Sequence, residues 1–85
     1  MVSFEYKIKD PLGLHARPAG QLVKEAKAYK SKVTIYFGGQ HAEAQRMIAV
    51  MSLGIKQNDI ITVTVEGEDE EQALLSLQKF FTENI

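Results

Sequence analysis

Apolar residues at every second position open the chain. Val2, Phe4, Tyr6 and Ile8 alternate with polar neighbours, the period of a strand with one buried face. Asp10-Pro11-Leu12-Gly13 breaks that strand. A helix follows, with Pro18 in its first turn, where a missing N–H costs nothing. Ala19, Leu22, Val23, Ala26 and Tyr29 give it one apolar stripe, and Lys24 and Lys27 lie off that stripe. Val33, Ile35 and Phe37 alternate as a second strand. Gly38-Gly39 is a hairpin signal, which predicts a short third strand over residues 40–44. The apolar run 47–53, ended by Gly54, reads as a short helix with a C-terminal cap. Ile61, Val63 and Val65 alternate with threonines as a fourth strand. Asp69 and Gln72 have the spacing of a capping box for a last helix, and Glu70 and Glu71 suit its positive end. Ala73, Leu74, Leu77, Phe80 and Phe81 form that helix's apolar face.

The predicted order is β-α-β-β-α-β-α, with no repeat and no linker, so residues 1–85 are expected to form one α+β domain. A single antiparallel or mixed sheet with helices on one face suits such a chain. The threonines and charges between apolar strand positions predict that the other face meets water.

Length and composition narrow the function. A chain of 85 residues buries only roughly 60–65% of its unfolded surface, so its core is thin and its chemistry is expected at the surface. It has no cysteine, which excludes disulfides and zinc-thiolate sites, and no cofactor or metal is implied. No apolar run approaches the roughly 18 residues of a membrane span, and no secretory leader pattern opens the chain, so a cytoplasmic protein without membrane insertion is expected. A net charge of −1 argues against a dedicated nucleic-acid binder. Phe4, Tyr6, Tyr36 and Phe37 could be stacking residues on an RNA-binding sheet, but no Lys/Arg-aromatic signature accompanies them, and strand packing accounts for them more simply.

The balanced total hides an asymmetry. Residues 1–34 carry seven bases and three acids, a net +4, while residues 35–85 carry three bases and eight acids, a net −5. Most of these charges need be no more than solvated faces. Arg17, Lys24 and Lys27 could also face an acidic partner.

Of the two histidines, His41 falls in a short polar strand and reads as an exposed strand residue. His15 stands just before a helix, in Gly13-Leu14-His15-Ala16-Arg17-Pro18-Ala19. It could be a junction residue with no role. Three physical facts favour one. A helix N-terminus offers unpaired N–H groups and a partial positive charge, with Ala16, Arg17 and Ala19 as the expected donors. That positive end favours the neutral imidazole, whose lone pair can act as a nucleophile. Arg17 supplies a planar donor fork suited to phosphoryl oxygens. A phosphoryl-accepting histidine would use all three, but so would a bound anion without covalent chemistry.

These seven residues, together with Val50-Met51-Ser52-Leu53-Gly54-Ile55 and Glu66-Gly67-Glu68-Asp69-Glu70, resemble the histidine-containing phosphocarrier (HPr) family of the bacterial phosphoenolpyruvate-dependent phosphotransferase system. Element order and length are similar throughout. The resemblance implies an open-faced two-layer sandwich, with a four-stranded antiparallel sheet of order 1-4-2-3 and three helices on one face. It implies that His15 accepts a phosphoryl group on its δ nitrogen from enzyme I and passes it to an enzyme IIA domain, as a carrier and not as an enzyme with its own substrate. Arg17 and the backbone of Ala16 and Arg17 would cradle the phosphoryl oxygens. Met47, Ile48 and Met51 could be core residues, and Gly20 no more than a weak point of its helix. The resemblance places part of the short helix beside the site, so that all four would form a partner surface, with Lys24 and Lys27 steering acidic partners. A monomer is expected, although edge strands in a small sheet permit swapped dimers.

The resemblance is incomplete. Gln45-Arg46-Met47-Ile48-Ala49 replaces the Lys-Ser-Ile-Met-Gly of carriers whose serine is phosphorylated by a dedicated kinase, and Arg46 stands at the serine's position. Serine-linked signalling is therefore not expected. Leu12 and Ile48-Ala49 are more like the nitrogen-related branch of the family, whereas residues 50–54 are more like the sugar branch. A regulatory HPr-like protein acting by docking is the alternative. The catabolite-control branch that works in this way keeps the serine and replaces the histidine, the reverse of this chain.

Overall fold

A computed structural model describes all of residues 1–85. The elements run β1 (Val2–Lys7), α1 (Ala16–Lys27), β2 (Lys32–Phe37), β3 (Gln40–Glu43), α2 (Met47–Ser52), β4 (Ile60–Glu66) and α3 (Glu70–Asn84). The strands form one antiparallel sheet in the order β1-β4-β2-β3.

Register separates the two faces of the sheet. Phe4, Val63, Ile35 and Ala42 align in one row, and Val2, Val65 and Val33 in another. These rows face the three helices. The intervening rows are Glu5, Thr62, Tyr36 and His41, then Ser3, Thr64, Thr34 and Glu43. They form the open face. A two-residue period lets each strand serve both solvents, and a slip by one residue would bury the charges. On the open face His41 packs against Tyr36 with ring centroids 5.4 Å apart.

The core is one cluster in which Ile61, Val63 and Val65 of β4 meet Leu22 and Ala26 of α1, Val50 of α2, and Leu77 and Phe81 of α3. Phe81 is fully buried and meets Phe4, Tyr6 and Phe80 edge-on, with centroids 5.4–6.0 Å apart. The Tyr6 hydroxyl donates to the Phe81 carbonyl at 3.0 Å, so β1 and α3 are joined by both packing and a hydrogen bond. No helix is long and apolar enough to cross a membrane.

Several local expectations change. Ile8 is fully buried but lies beyond the β1 ladder, bonded instead to the backbone of Asp59 and Asn58. Helix α1 stops at Lys27, so Tyr29 packs from the following turn and not from the helix. Strand β3 stops at Glu43, although Ala44 still donates to the Val33 carbonyl. The capping box of Asp69 and Gln72 does not form. Asp69 makes no side-chain cap; its carboxylate accepts from the Lys30 and Ser31 N–H groups and the Ser31 hydroxyl, donors from the turn between α1 and β2. Glu70 makes the local bond instead, accepting from the Gly67 N–H at 3.2 Å.

Candidate phosphoryl-acceptor site

The loop from Lys9 to Leu14 is fixed at several points before it reaches His15. The Lys9 and Asp10 N–H groups both donate to the Ile85 carbonyl at 2.9 Å. The Gly13 N–H donates to the Asp10 carbonyl at 2.9 Å, and the Leu14 N–H to the Ile55 carbonyl at 3.1 Å. Gly13 has φ of 68°, and a Cβ there would lie 2.5 Å from the Ile55 carbonyl oxygen. No other residue allows the loop to lie this close to the 55–56 backbone. Leu14 is buried, which leaves His15 at the edge of the core facing out.

His15 is the N-cap residue of α1 and has extended backbone, with φ −83° and ψ −176°. Its carbonyl accepts the first helical bond, from the Ala19 N–H at 3.0 Å. Ala19 is therefore not available as an anion donor, contrary to the sequence expectation. Pro18 has no N–H, and no side chain caps the helix. That leaves Ala16 and Arg17 as first-turn donors at the positive end of a 12-residue helix.

Asp10, His15, Arg17, Pro18 and Gln21 line one shallow groove of about 270 Å³ with Glu83 and Asn84 at the end of α3. Arg17 is exposed and takes part in none of the protein's ion pairs, so its guanidinium is free for an oxyanion. The His15 Nε2 lies 3.3 Å from Asp10 Oδ2. The other Asp10 oxygen accepts the Leu12 N–H at 2.8 Å. Chiefly through that N–H, with help from the His15 ring, the Asp10 carboxyl is held below its usual range and stays ionised.

Met47 and Met51 are partly exposed on α2, Ile48 is 78% exposed, and Val50 turns inward to the core. A Cβ added at Gly20 would meet Met47 Cε at 3.9 Å, an ordinary contact, so α1 and α2 approach closely there without requiring glycine. Lys24 and Lys27 are exposed but line no part of the groove; they follow Arg17 along α1 by about 10 and 15 Å. Arg46 is the N-cap of α2 and is exposed.

A family model described as "PTS HPr component phosphorylation site" matches residues 2–83. The chain belongs to the HPr family. It is 41% identical over 83 residues to phosphocarrier protein HPr of Buchnera aphidicola, covering 98% of both chains. It is 43% identical over 74 residues to that of Haemophilus influenzae, covering 87% of both. Among solved structures, a histidine-containing phosphocarrier protein of Mycoplasma superposes with a TM-score of 0.93 at 33% identity, covering 96% of this chain and 93% of that one. The 1-4-2-3 sheet and three helices implied by the resemblance are thus those of HPr proteins of known structure.

Three features around this groove are not announced by the sequence pattern. In the sequence Asp10 reads only as a strand breaker, though an acid followed by a tight turn can bond back to its own loop. Glu83 and Asn84 reach the groove only because α3 returns to the start of α1, and no local pattern announces that. Leu12, 72% exposed three residues before His15, adds an apolar side chain on the site's own loop.

Proposed function

We propose that this HPr-family protein is a phosphoryl carrier of the phosphotransferase system. His15 accepts the group on Nδ1 from phosphorylated enzyme I and passes it to a histidine of an enzyme IIA domain. The observation that carries this reading is the placement of His15 and Arg17 in one open groove at the uncapped N-terminus of α1. Nε2 faces Asp10, so Nδ1 is the nitrogen left for phosphorus. Phosphoryl transfer asks mainly for positioning and charge stabilisation, which an open groove can supply. Arg17 and the Ala16 and Arg17 N–H groups take the phosphoryl oxygens. The protein acts as a covalent intermediate, without a substrate of its own.

The apolar Leu12, Met47, Ile48 and Met51 suit a surface that must fit two partners in turn, since methionine adapts to different shapes. Lys24 and Lys27, together with Gly20 on the same helix, extend that surface, and the lysines raise association rates with acidic partners. One domain spanning residues 1–85, acting as a cytoplasmic monomer, fits this role.

Arg46 at the α2 N-cap leaves no hydroxyl where the family's regulatory serine would stand. Ser52 is no substitute. It lies at the other end of α2 and donates to the Ile48 carbonyl at 2.7 Å, where a phosphate would oppose the helix dipole.

The test is incubation with enzyme I, magnesium and phosphoenolpyruvate. The wild-type protein should gain one acid-labile phosphoryl group and His15→Ala none. Absence of label on the wild type with several enzyme I sources would overturn the reading.

A further inference from the structure

Asp10 is the most constrained side chain near the groove. Its N–H is held by the Ile85 carbonyl, its carbonyl by the Gly13 N–H, and its Oδ1 by the Leu12 N–H. These bonds join β1's exit, the site loop and the end of α3 on a single residue. They leave one oxygen, Oδ2, and it is directed at His15 Nε2. Both side chains are about one-third exposed or less, at 26% and 32%, so water weakens this contact without replacing it.

We infer that Asp10 is a positioning residue for His15: its carboxylate accepts the Nε2 proton, fixes the imidazole as the Nε2–H tautomer, and thereby presents the Nδ1 lone pair for phosphoryl transfer. The inference rests on the proposed carrier function for its consequence, but the tautomer is a property of the unmodified protein. An ionised carboxylate has only acceptors, so it pairs with a ring N–H and not with a ring lone pair. A neutral imidazole has one proton, and placing it on Nε2 leaves Nδ1 bare.

The chemistry then balances without a proton shuttle. The Nδ1 lone pair forms the bond to phosphorus while the bond from phosphorus to the donor protein breaks, and that electron pair stays with the donor. Nε2 keeps its proton throughout. The ring now has both nitrogens substituted and bears a positive charge, which the Asp10 carboxylate faces directly. On onward transfer the Nδ1–P bond breaks, its electrons return to Nδ1, and the ring is again neutral with Nε2–H in place.

Asp10→Asn tests this while preserving the loop, because the amide oxygen can still accept the Leu12 N–H. Its NH₂ group is a donor and opposes a proton on Nε2. Nitrogen-15 NMR of the His15 ring, at a pH where it is neutral, should show the wild type wholly as Nε2–H and Asp10→Asn as a mixture. Amide spectra should show the Asn variant folded as the wild type. Phosphoryl transfer from enzyme I should slow by about tenfold to a hundredfold, as when a carboxylate that orients a functional histidine is lost, with KM for enzyme I unchanged. Asp10→Glu should restore part of the rate if its carboxylate reaches Nε2. A mixed or Nδ1–H wild-type ring, or an Asn variant with the wild-type tautomer, would overturn the inference even if the protein carries phosphoryl groups. An ordered Nε2–H tautomer in a protein that takes no label would sustain it while overturning the carrier reading.

Discussion

Two loop-to-helix junctions in this protein are built alike and used differently. Each follows a strand, each holds a glycine against another segment's backbone, and each contains an aspartate whose carboxyl lies below its usual range. Before α3, Gly67 presses on Ser31, where a Cβ would meet Ser31 Cα at 2.6 Å. Asp69 then directs both oxygens at the Lys30–Ser31 segment, and the Ser31 hydroxyl is the largest cause of its lowered pKa. Both Asp69 oxygens are thus engaged in holding the Lys30–Ser31 segment, just before β2, to the start of α3. Before α1, Gly13 presses on residues 55 and 56 in the same way, but Asp10 gives the backbone one oxygen and keeps the other for His15. The first-turn N–H groups and Arg17 remain without partners. An aspartate whose oxygens are both spent on a neighbouring segment is structural, while one that keeps an oxygen for a histidine, beside an unpaired arginine, leaves a site that can take a ligand.

The widest gap between the junctions should appear with Arg17→Ala. Removing one preorganised donor slows transfer by about a hundredfold, and the unfolding midpoint should stay where it is because this side chain is exposed. Wild-type transfer by this variant would remove the side chain from the site. Gly13→Ala and Gly67→Ala should each cost about 3 kcal/mol or more in urea denaturation, since both combine positive φ with a clash against backbone. Transfer per folded molecule separates them: it should fall with Gly13→Ala and hold with Gly67→Ala. Equal behaviour of the two variants would erase the distinction between the junctions.

Ser31→Ala removes a buried hydroxyl from Asp69 and should cost about 1 kcal/mol with no effect on transfer. Acid provides a related test. Asp10, Asp69 and Glu70 have folded pKa values lowered mainly by hydrogen bonds, so the stability they contribute is present above the unfolded carboxylate range. It is lost as pH falls from about 4 through the folded values. Urea midpoints measured down that range should fall for the wild type and fall less steeply for Asp69→Asn. The smallest effect belongs to Gly20→Ala, which should gain roughly 0.5–1 kcal/mol from helix propensity because the added methyl meets only the end of Met47. Slower transfer despite that gain would place Gly20 in the partner interface; an unchanged rate would leave it outside.

Sequence and structure part in different ways at the two junctions. The sequence pattern marks Asp69 as a helix-start acid paired with its neighbour Gln72, but its partners lie 38 and 39 positions away. At Ala19 the pattern offers a free donor that the first helical turn consumes. The Asp69 partners are long-range, whereas the Ala19 partner is local and depends on His15 being the N-cap. Capacity is a property of residue type, but partners depend on where a helix starts and on which segments meet.

What the sequence determined by itself was the set of elements and the pairing of His15 with Arg17 at a helix start. Period-two and helical apolar patterns follow from geometry that every strand and helix shares, and Gly13 to Ala19 puts a histidine, an arginine and a proline within one helical turn. Tertiary structure decided the surroundings of that pair. Asp10 reaches Nε2 because Ile85 holds its backbone, and Glu83 and Asn84 wall the groove because α3 packs back across β1 and β4. These contacts join the two ends of the chain, and only the burial of the shared core, with Phe81 against Phe4 and Tyr6, brings those ends together.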